Sequence, residues 1–246
     1  MTTIIWTIQL LLAPAISPLL IGIVRKAKAK LQNRNGASVI QPYRYVWKLI
    51  HKDETISEDA SWIFRFAPYL VFSVTVVLGL CIPLFTSAFQ NNLFGDFLVV
   101  VYLVALSTFF MALAGMDAGS AFGGFGSSRE MKVAARTEGG RIFYMLSLAL
   151  SARSTDLFSI ASSVSSLSVA SFAPIALAFI AFIIAALAET SRFPFDNPAT
   201  HLELTMIHEA MILEYSGKRL ALMEWAAANK FFIFTALAAN LFFPWG

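Results

Sequence analysis

The chain has 246 residues, 58% of them hydrophobic and only 13% charged, with a formal net charge of +3. Soluble domains carry about 25% charged residues, so a soluble fold of this length would lack polar side chains for its surface, a need that a bilayer removes. One cysteine, Cys81, excludes an internal disulfide and a cysteine-ligated cluster, and no CxxC, Walker-type or GxGxxG pattern offers nucleotide or electron handling.

The apolar residues fall in long blocks between short charged stretches, which suits helices rather than the alternation of a membrane barrel. The pattern predicts an all-α polytopic membrane protein with at least six transmembrane helices. They run at about Ile4–Val24, Ala67–Phe85, Phe97–Met116, Met131–Ala152, Val169–Ala188 and Leu220–Phe243, each with the roughly 20 residues that cross a bilayer. The first block lacks a basic segment before it and has a basic cluster after it, so it reads as a retained helix rather than a cleaved leader. The first loop holds nine Lys or Arg between Arg25 and Arg65, the third region holds Arg129, Lys132, Arg136 and Arg141, and the fifth holds Arg192, Lys218 and Arg219. The second loop has none and the fourth only Arg153. The positive-inside rule then puts the odd loops in the cytoplasm and the N-terminus outside. Residues 1–246 read as one transmembrane domain of a multi-pass protein of the inner (cytoplasmic) membrane. A loop at 25–66 and an acidic loop at 189–219 are its two elaborations.

In the first loop, Pro42 can open a short helix. Tyr43, Val46, Trp47 and Ile50 fall near one face, and Arg44, Lys48, His51 and Lys52 near another. This predicts an amphipathic helix in the membrane plane with its basic groups among lipid headgroups, as an anchor or as the lip of a cavity.

Acids in or beside apolar segments are costly and ask for a reason. Asp117 ends the third span, as a polar helix end or a working acid. After it runs the glycine-rich stretch Ala121-Phe122-Gly123-Gly124-Phe125-Gly126. Ser127 and Glu130 have the spacing of a capping box for the fourth helix. Glu138 and Arg141 are spaced to pair, as a structural contact or as a station in a hydrated proton path. Gly139 and Gly140 allow close helix approach there.

The strongest signal joins the fifth and sixth spans. Pro194 ends the fifth helix, and Glu189, Arg192 and Asp196 sit on a short turn. A helix resuming near Ala199 would carry Glu203, Ile207, Ala210 and Glu214 on one stripe, His201, Thr205, His208 and Ile212 on the next, and Glu209 to the side. Acids aligned in this way repel, raise one another's proton affinity and can pass protons through water. A wet loop with acids in solvent is the plainer reading. His208-Glu209 does not continue as HExxH, so no metal site is expected. In the sixth span Glu224 can snorkel, whereas the deeper Lys230 needs a carboxylate, water or a neighbouring subunit.

The stretch AETSRFPFDNPATHLEL, Ala188 to Leu204, followed by LEYSGKRLAL, Leu213 to Leu222, resembles the membrane subunit that joins the peripheral and membrane arms of respiratory complex I (the subunit 1, or H-type, family). The matching positions are Glu189, Arg192, Pro194, Phe195, Asp196, Glu203, Glu214, Tyr215, Ser216 and Gly217. DAGSAFGGFGSSRE, Asp117 to Glu130, is more similar to the counterpart in membrane-bound nickel–iron hydrogenases such as formate hydrogenlyase and hydrogenase-4. Gln32 to Asp53 resembles the family's first cytoplasmic loop. The sequence departs from the family in a Glu203–Glu214 interval about three residues longer, and in Thr200 and His201 where acids are usual.

The resemblance implies an energy-coupling subunit without a tightly bound cofactor of its own. Iron–sulfur clusters and a nickel–iron site would lie in peripheral hydrogenase-like large and small subunits and iron–sulfur subunits docked on the odd loops. Antiporter-like membrane subunits would carry protons or sodium onward, and no nucleic acid is involved. The coupling path would include Asp117, Glu130, Glu138, Arg141, Glu189, Arg192, Asp196, Glu203, His208, Glu209, Glu214 and Lys230. Replacing Glu203 or Glu214 with Gln is expected to spare assembly and cut coupled activity. The chain stops at Trp245-Gly246, where the family usually continues with further helices. The alternatives are a quinone-site subunit of an NADH:quinone oxidoreductase-type complex, a stand-alone transporter, or a structural membrane anchor.

Overall fold

The computed structural model describes residues 2–83, 95–164, 172–197 and 206–243, with the side chains of 2–6 and 172 left aside. Among these, nine helices follow in order: α1 (Thr2–Leu31), α2 (Gln41–Ile50), α3 (Trp62–Cys81), α4 (Phe97–Asp117), α5 (Ala121–Ala152), α6 (Leu157–Val164), α7 (Phe172–Glu189), α8 (His208–Ile212) and α9 (Gly217–Phe242).

Four of them are long and apolar enough to cross a membrane: Thr7–Leu31 of α1, then α3, α4 and α9. The expectation of at least six is therefore corrected. The predicted fourth span falls in α5, a 32-residue helix whose middle turns still carry Arg136, Glu138 and Arg141. The predicted fifth falls in α7, whose apolar run Ala173–Glu189 is shorter than a crossing helix. The strict inside–outside alternation drawn from six crossings falls with that count.

Crossing helices must satisfy their backbone internally, and prolines in α1 show how that is done here. Pro14 and Pro18 lie inside the helix, and Pro18 has no N–H for the carbonyl of Pro14. That carbonyl accepts instead from the Trp225 indole N–H of α9 at 2.8 Å and from the Ser17 hydroxyl at 3.2 Å. The Tyr43 hydroxyl donates to the next carbonyl, that of Ala15, which ties α2 to the same stretch of α1.

The glycine-rich run is not a loop before a capped helix. It is the first two turns of α5, whose N-cap, Ser120, makes no side-chain cap bond. Ser127 and Glu130 are buried inside the helix, so they form no capping box. Close packing explains the glycines. A Cβ at Gly123 would lie 2.2 Å from the Gly115 carbonyl oxygen of α4, and one at Gly126 would lie 3.0 Å from the Ala210 Cβ of α8. Gly139 and Gly140, expected at a close helix approach, meet no atom within 4 Å.

Two larger apolar cores divide the bundle, with a small third cluster at Ala112, Ile207 and Met211. The larger joins α1, α3, α4, α5, α6, α7 and α9 through residues such as Val74, Leu78, Val101, Met145, Phe182, Ile233 and Leu237. The smaller, toward the end that carries α2 and α8, contains Phe64, Val71, Ala114, Tyr215 and Met223. Between them lies a belt of buried polar residues: Ser17, Thr75, Ser107, Thr108, Thr137, Arg141, Glu189 and Asn229. Hydroxyls tolerate burial by bonding to their own helix, as Thr137 does to the carbonyl of Val133 at 3.0 Å. Charges need partners, and these define the site.

Candidate functional site

Glu189 ends α7 and is 6% exposed. Its Oε1 is 2.9 Å from Arg141 Nη2 of α5, and its Oε2 is 2.7 Å from Lys230 Nζ of α9. One carboxylate thus holds two cations. Lys230 also reaches the Thr108 hydroxyl of α4 at 3.4 Å. Beside it Asn229 donates to the Thr75 hydroxyl at 3.3 Å and accepts from Ser17 at 2.5 Å. Of the carboxylate, water or neighbouring subunit expected for Lys230, the structure supplies a carboxylate, and Arg141 pairs with Glu189 and not with Glu138.

The cluster walls a cavity of about 350 Å³, within the range of small-molecule sites. Glu130, Glu189, Arg192, Asp196, His208, Glu209, Glu224 and Lys230 line it, as do Thr75, Ser107 and Thr108. Loop 189–197 closes one side. Its fold rests on the Arg192 N–H to the Leu187 carbonyl, at 2.9 Å, and the Asp196 N–H to the Arg192 carbonyl, at 3.2 Å. Asp196 accepts from the Ile207 N–H at 3.2 Å and the His208 N–H at 2.9 Å, which anchors α8. The Arg192 guanidinium stands over the Phe231 ring at 4.8 Å.

Outside the crossing helices, burial sets the protonation of two cavity groups. Burial pushes the Glu130 carboxyl up to about 7, with Lys230 opposing and Glu189 and Asp196 adding to the rise. Burial pushes His208 down to about 4, helped by the charges of Lys230 and Arg192, so its ring is neutral at physiological pH. Burial, with Asp196 nearby, also raises Glu209. Several buried polar atoms have no protein partner among the described residues: Ser127 Oγ, Arg141 Nε and Nη1, Tyr144 Oη and His208 Nε2. Each costs about 1–3 kcal/mol if left dry, and of these residues only His208 lines the cavity.

Other expected positions lie apart. Asp117 accepts from the Ser61 N–H and hydroxyl, both at 2.9 Å, and from the Phe64 N–H at 3.1 Å, so it fastens the start of α3 to the end of α4. Glu138 lines a separate, mostly apolar groove of about 740 Å³ between α4 and α5, which Arg141 and Thr108 also reach. Glu214 is exposed. Glu203, with His201 and Thr205, lies outside the described residues. Asn229, Ser17 and Thr75 were not singled out from sequence, although an amide next to Lys230 in an apolar run was a usable signal. Serine and threonine in crossing helices carry none.

Among the described residues no group of three His, Cys, Asp or Glu side chains could hold a metal ion, and Cys81 is a lone buried thiol. Among the described residues the donor set does not fit an iron–sulfur cluster or a nickel–iron site.

Three comparisons with known proteins bear on this arrangement. The family model described as NADH dehydrogenase matches residues 3–246. The chain is 32% identical to formate hydrogenlyase subunit 4 of Escherichia coli, over 97% of this chain and 77% of that protein. It is 34% identical to hydrogenase-4 component C of the same organism, over 94% and 72%. NADH-quinone oxidoreductase subunit 8 of Rhodothermus marinus is 26% identical over 89% of this chain and 66% of its own length. A chain in the structure of the membrane-bound sulfane sulfur reductase, an archaeal respiratory membrane complex, shares the fold with a TM-score of 0.80 at 21% identity, over 96% of this chain and 78% of that one. The chain belongs to the NADH dehydrogenase family of membrane proteins.

Proposed function

We propose that this chain is the membrane subunit that seats a nickel–iron-hydrogenase-like peripheral arm in the inner membrane and links its electron transfer to proton or sodium translocation. The names of its relatives, formate hydrogenlyase subunit 4 and hydrogenase-4 component C, supply the class of complex. Iron–sulfur subunits and antiporter-like membrane subunits are the partners this reading requires. The observation that carries the coupling role is the carboxylate of Glu189, shared by Arg141 and Lys230 at the start of loop 189–197.

The chemistry follows from that sharing. Arg141 keeps its charge at any working pH, whereas a buried lysine can release its proton. A protein seated on loop 189–197 that shifts Glu189 weakens the contact to Lys230. The carboxylate then binds a proton more readily and the lysine releases one more readily. Glu130, poised near neutrality, and water in the cavity can accept and pass that proton. Thus a displacement of the turn becomes a proton movement.

Lys230→Gln tests this. The change takes the triad from a net charge of +1 to 0 and leaves the Arg141–Glu189 pair in place. In the whole complex reconstituted in liposomes, with all subunits present, electron transfer should continue while ion uptake per electron falls at least about tenfold, the loss of roughly 1.4 kcal/mol of coupling. Unchanged uptake per electron would remove the triad from the coupling path.

A further inference from the structure

The lateral groove between α4 and α5 is separate from the central cavity and carries a charge that the fold leaves unpaired. On α4, Tyr102, Leu106 and Phe109 fall four and three residues apart and form one exposed stripe, with Tyr102 at 64%. On α5, Met131, Ala135 and Glu138 have the same spacing and line the groove of about 740 Å³ from the other side. The α4 wall runs from Val99 to Phe109 within the crossing helix Phe97–Asp117, so the groove lies at the depth of the hydrocarbon. Glu138 and Arg141 are the charged residues on its wall; Lys132 and Arg136 of the same helix do not line it. Arg141 is held by Glu189 at 2.9 Å. Glu138 is half-buried and, among the described residues, makes no ion pair within 4.0 Å.

A carboxylate at this depth is among the costliest side chains to leave against lipid, and such groups pair with other charges or face water. The occupants that would cover the groove differ on that point. Acyl chains cover Tyr102, Leu106 and Phe109 but offer the carboxylate no hydrogen-bond donor. A second copy of this chain, seated on the same face about a two-fold axis, would bring one Glu138 against another. A helix with a basic side chain meets both needs. Its apolar side chains fill the groove, the small residues Ala105, Ala134 and Ala135 let it approach closely, and its cation pairs with the carboxylate. Arg141 does not oppose that cation, because Glu189 neutralises it, and Lys230 opens to the central cavity rather than to the groove. We infer that a transmembrane helix of an adjoining membrane subunit packs between α4 and α5 and sets a Lys or Arg against Glu138. This rests on the function proposed above, in which other membrane subunits adjoin the chain, and adds where one of them sits and which pair fixes it.

The test uses the whole complex, with photoreactive benzoylphenylalanine in place of Tyr102 or Leu106, activated in the membrane before purification in mild detergent. Mass spectrometry identifies what each position has captured. Both should capture an apolar segment of another membrane subunit, with a Lys or Arg within about four residues, one helical turn, of the attached residue. Glu138→Lys should lower the yield of that adduct on the order of tenfold, because like charges then face each other across the contact. Exchanging the partner's basic residue for Glu in the same complex should restore it. Adducts with lipid alone, a captured segment without Lys or Arg in that turn, an unchanged yield in Glu138→Lys, or no recovery on the charge exchange would each overturn the inference. The adducts formed with Glu138 intact decide the matter even if Glu138→Lys fails to assemble. A complex with no other membrane subunit would refute the function proposed above, whereas one that holds such subunits but has only lipid in the groove would refute this inference alone.

Discussion

Glu189→Gln should be the most damaging single change in the polar belt, and its cost can be bounded from the structure. The wild-type triad has one carboxylate between two cations, at 2.9 Å and 2.7 Å, with Glu189 and Arg141 almost fully buried. Neutralising Glu189 leaves two facing cations. Removing one partner of a buried pair costs about 3–5 kcal/mol. A loss of about 3–5 kcal/mol corresponds to a fall on the order of 10 °C in thermal midpoint for a chain of this length. Lys230→Gln and Arg141→Gln each leave one intact pair and should cost less. Glu189→Gln combined with Lys230→Gln should recover part of the loss, because the remaining cation faces an amide oxygen. The assay is the thermal midpoint of the purified complex for all four variants, read as a double-mutant cycle. If Glu189→Gln proved milder than Lys230→Gln, or the double variant no better than Glu189→Gln alone, the shared-carboxylate account would fail.

Gly123→Val should separate α4 from α5, because even a Cβ would sit 2.2 Å from the Gly115 carbonyl oxygen and backbone cannot yield cheaply. Loss of assembled complex on native gels is expected, whereas Gly139→Ala, in open space, should be silent or slightly stabilising. Glu130 and His208 should give stability slopes of opposite sign. The folded Glu130 carboxyl, raised from 4.5 to about 7, keeps a proton that the unfolded one has lost. Its contribution therefore declines by about 3 kcal/mol as pH rises through that window. His208, lowered from 6.5 to about 4, stays neutral where the unfolded ring is charged, so its contribution declines as pH falls from 6.5 to about 4. The two oppose each other in the overlap. Relative to wild type, thermal midpoints should worsen in acid for Glu130→Gln and improve in acid for His208→Gln; the same slope in both would refute these assignments.

Local patterns in the sequence reached the structure where local chemistry decides it. Pro42 and the two-faced run after it predict α2, and Pro42 stands in its first turn. Lys230, deep in an apolar run, asked for a carboxylate, water or a neighbouring subunit, and the structure supplies the carboxylate of Glu189. The choice of carboxylate was not legible. Glu138 is within helical reach of Arg141, but α7 brings Glu189 to the guanidinium from the other side, a contact between positions 48 residues apart in the chain. The glycine run misled for a related reason. Glycine costs about 1 kcal/mol in an isolated helix, so the run reads as a loop, yet tight contact with Gly115 and α8 stabilises it as helix. The count of crossings failed because α5 carries six charges between Arg129 and Arg141 and the apolar run of α7 is short, and no local pattern reveals that Glu130 and Arg141 among those charges are buried.

Whether the triad serves coupling or merely fixes the fold can be decided by removing it whole. A buried ion cluster is weak evidence for stability, since desolvation can exceed the attraction gained, and an apolar set of similar volume is often neutral or stabilising by about 1–4 kcal/mol. Arg141→Met, Glu189→Leu and Lys230→Met together leave no uncompensated charge, and Met145, Phe182 and Phe234 of the larger core are neighbours in chain position that an apolar belt could join. The triple variant should assemble and melt no lower than wild type, in contrast to Glu189→Gln, yet transport no ions during electron transfer. Such a protein would show that charges costly to bury at the level of Thr108 and Asn229 are retained for what they do with protons. A triple variant that assembles and still transports at the wild-type ratio would show instead that the cluster only orients α5, α7 and α9, and that coupling runs through other groups.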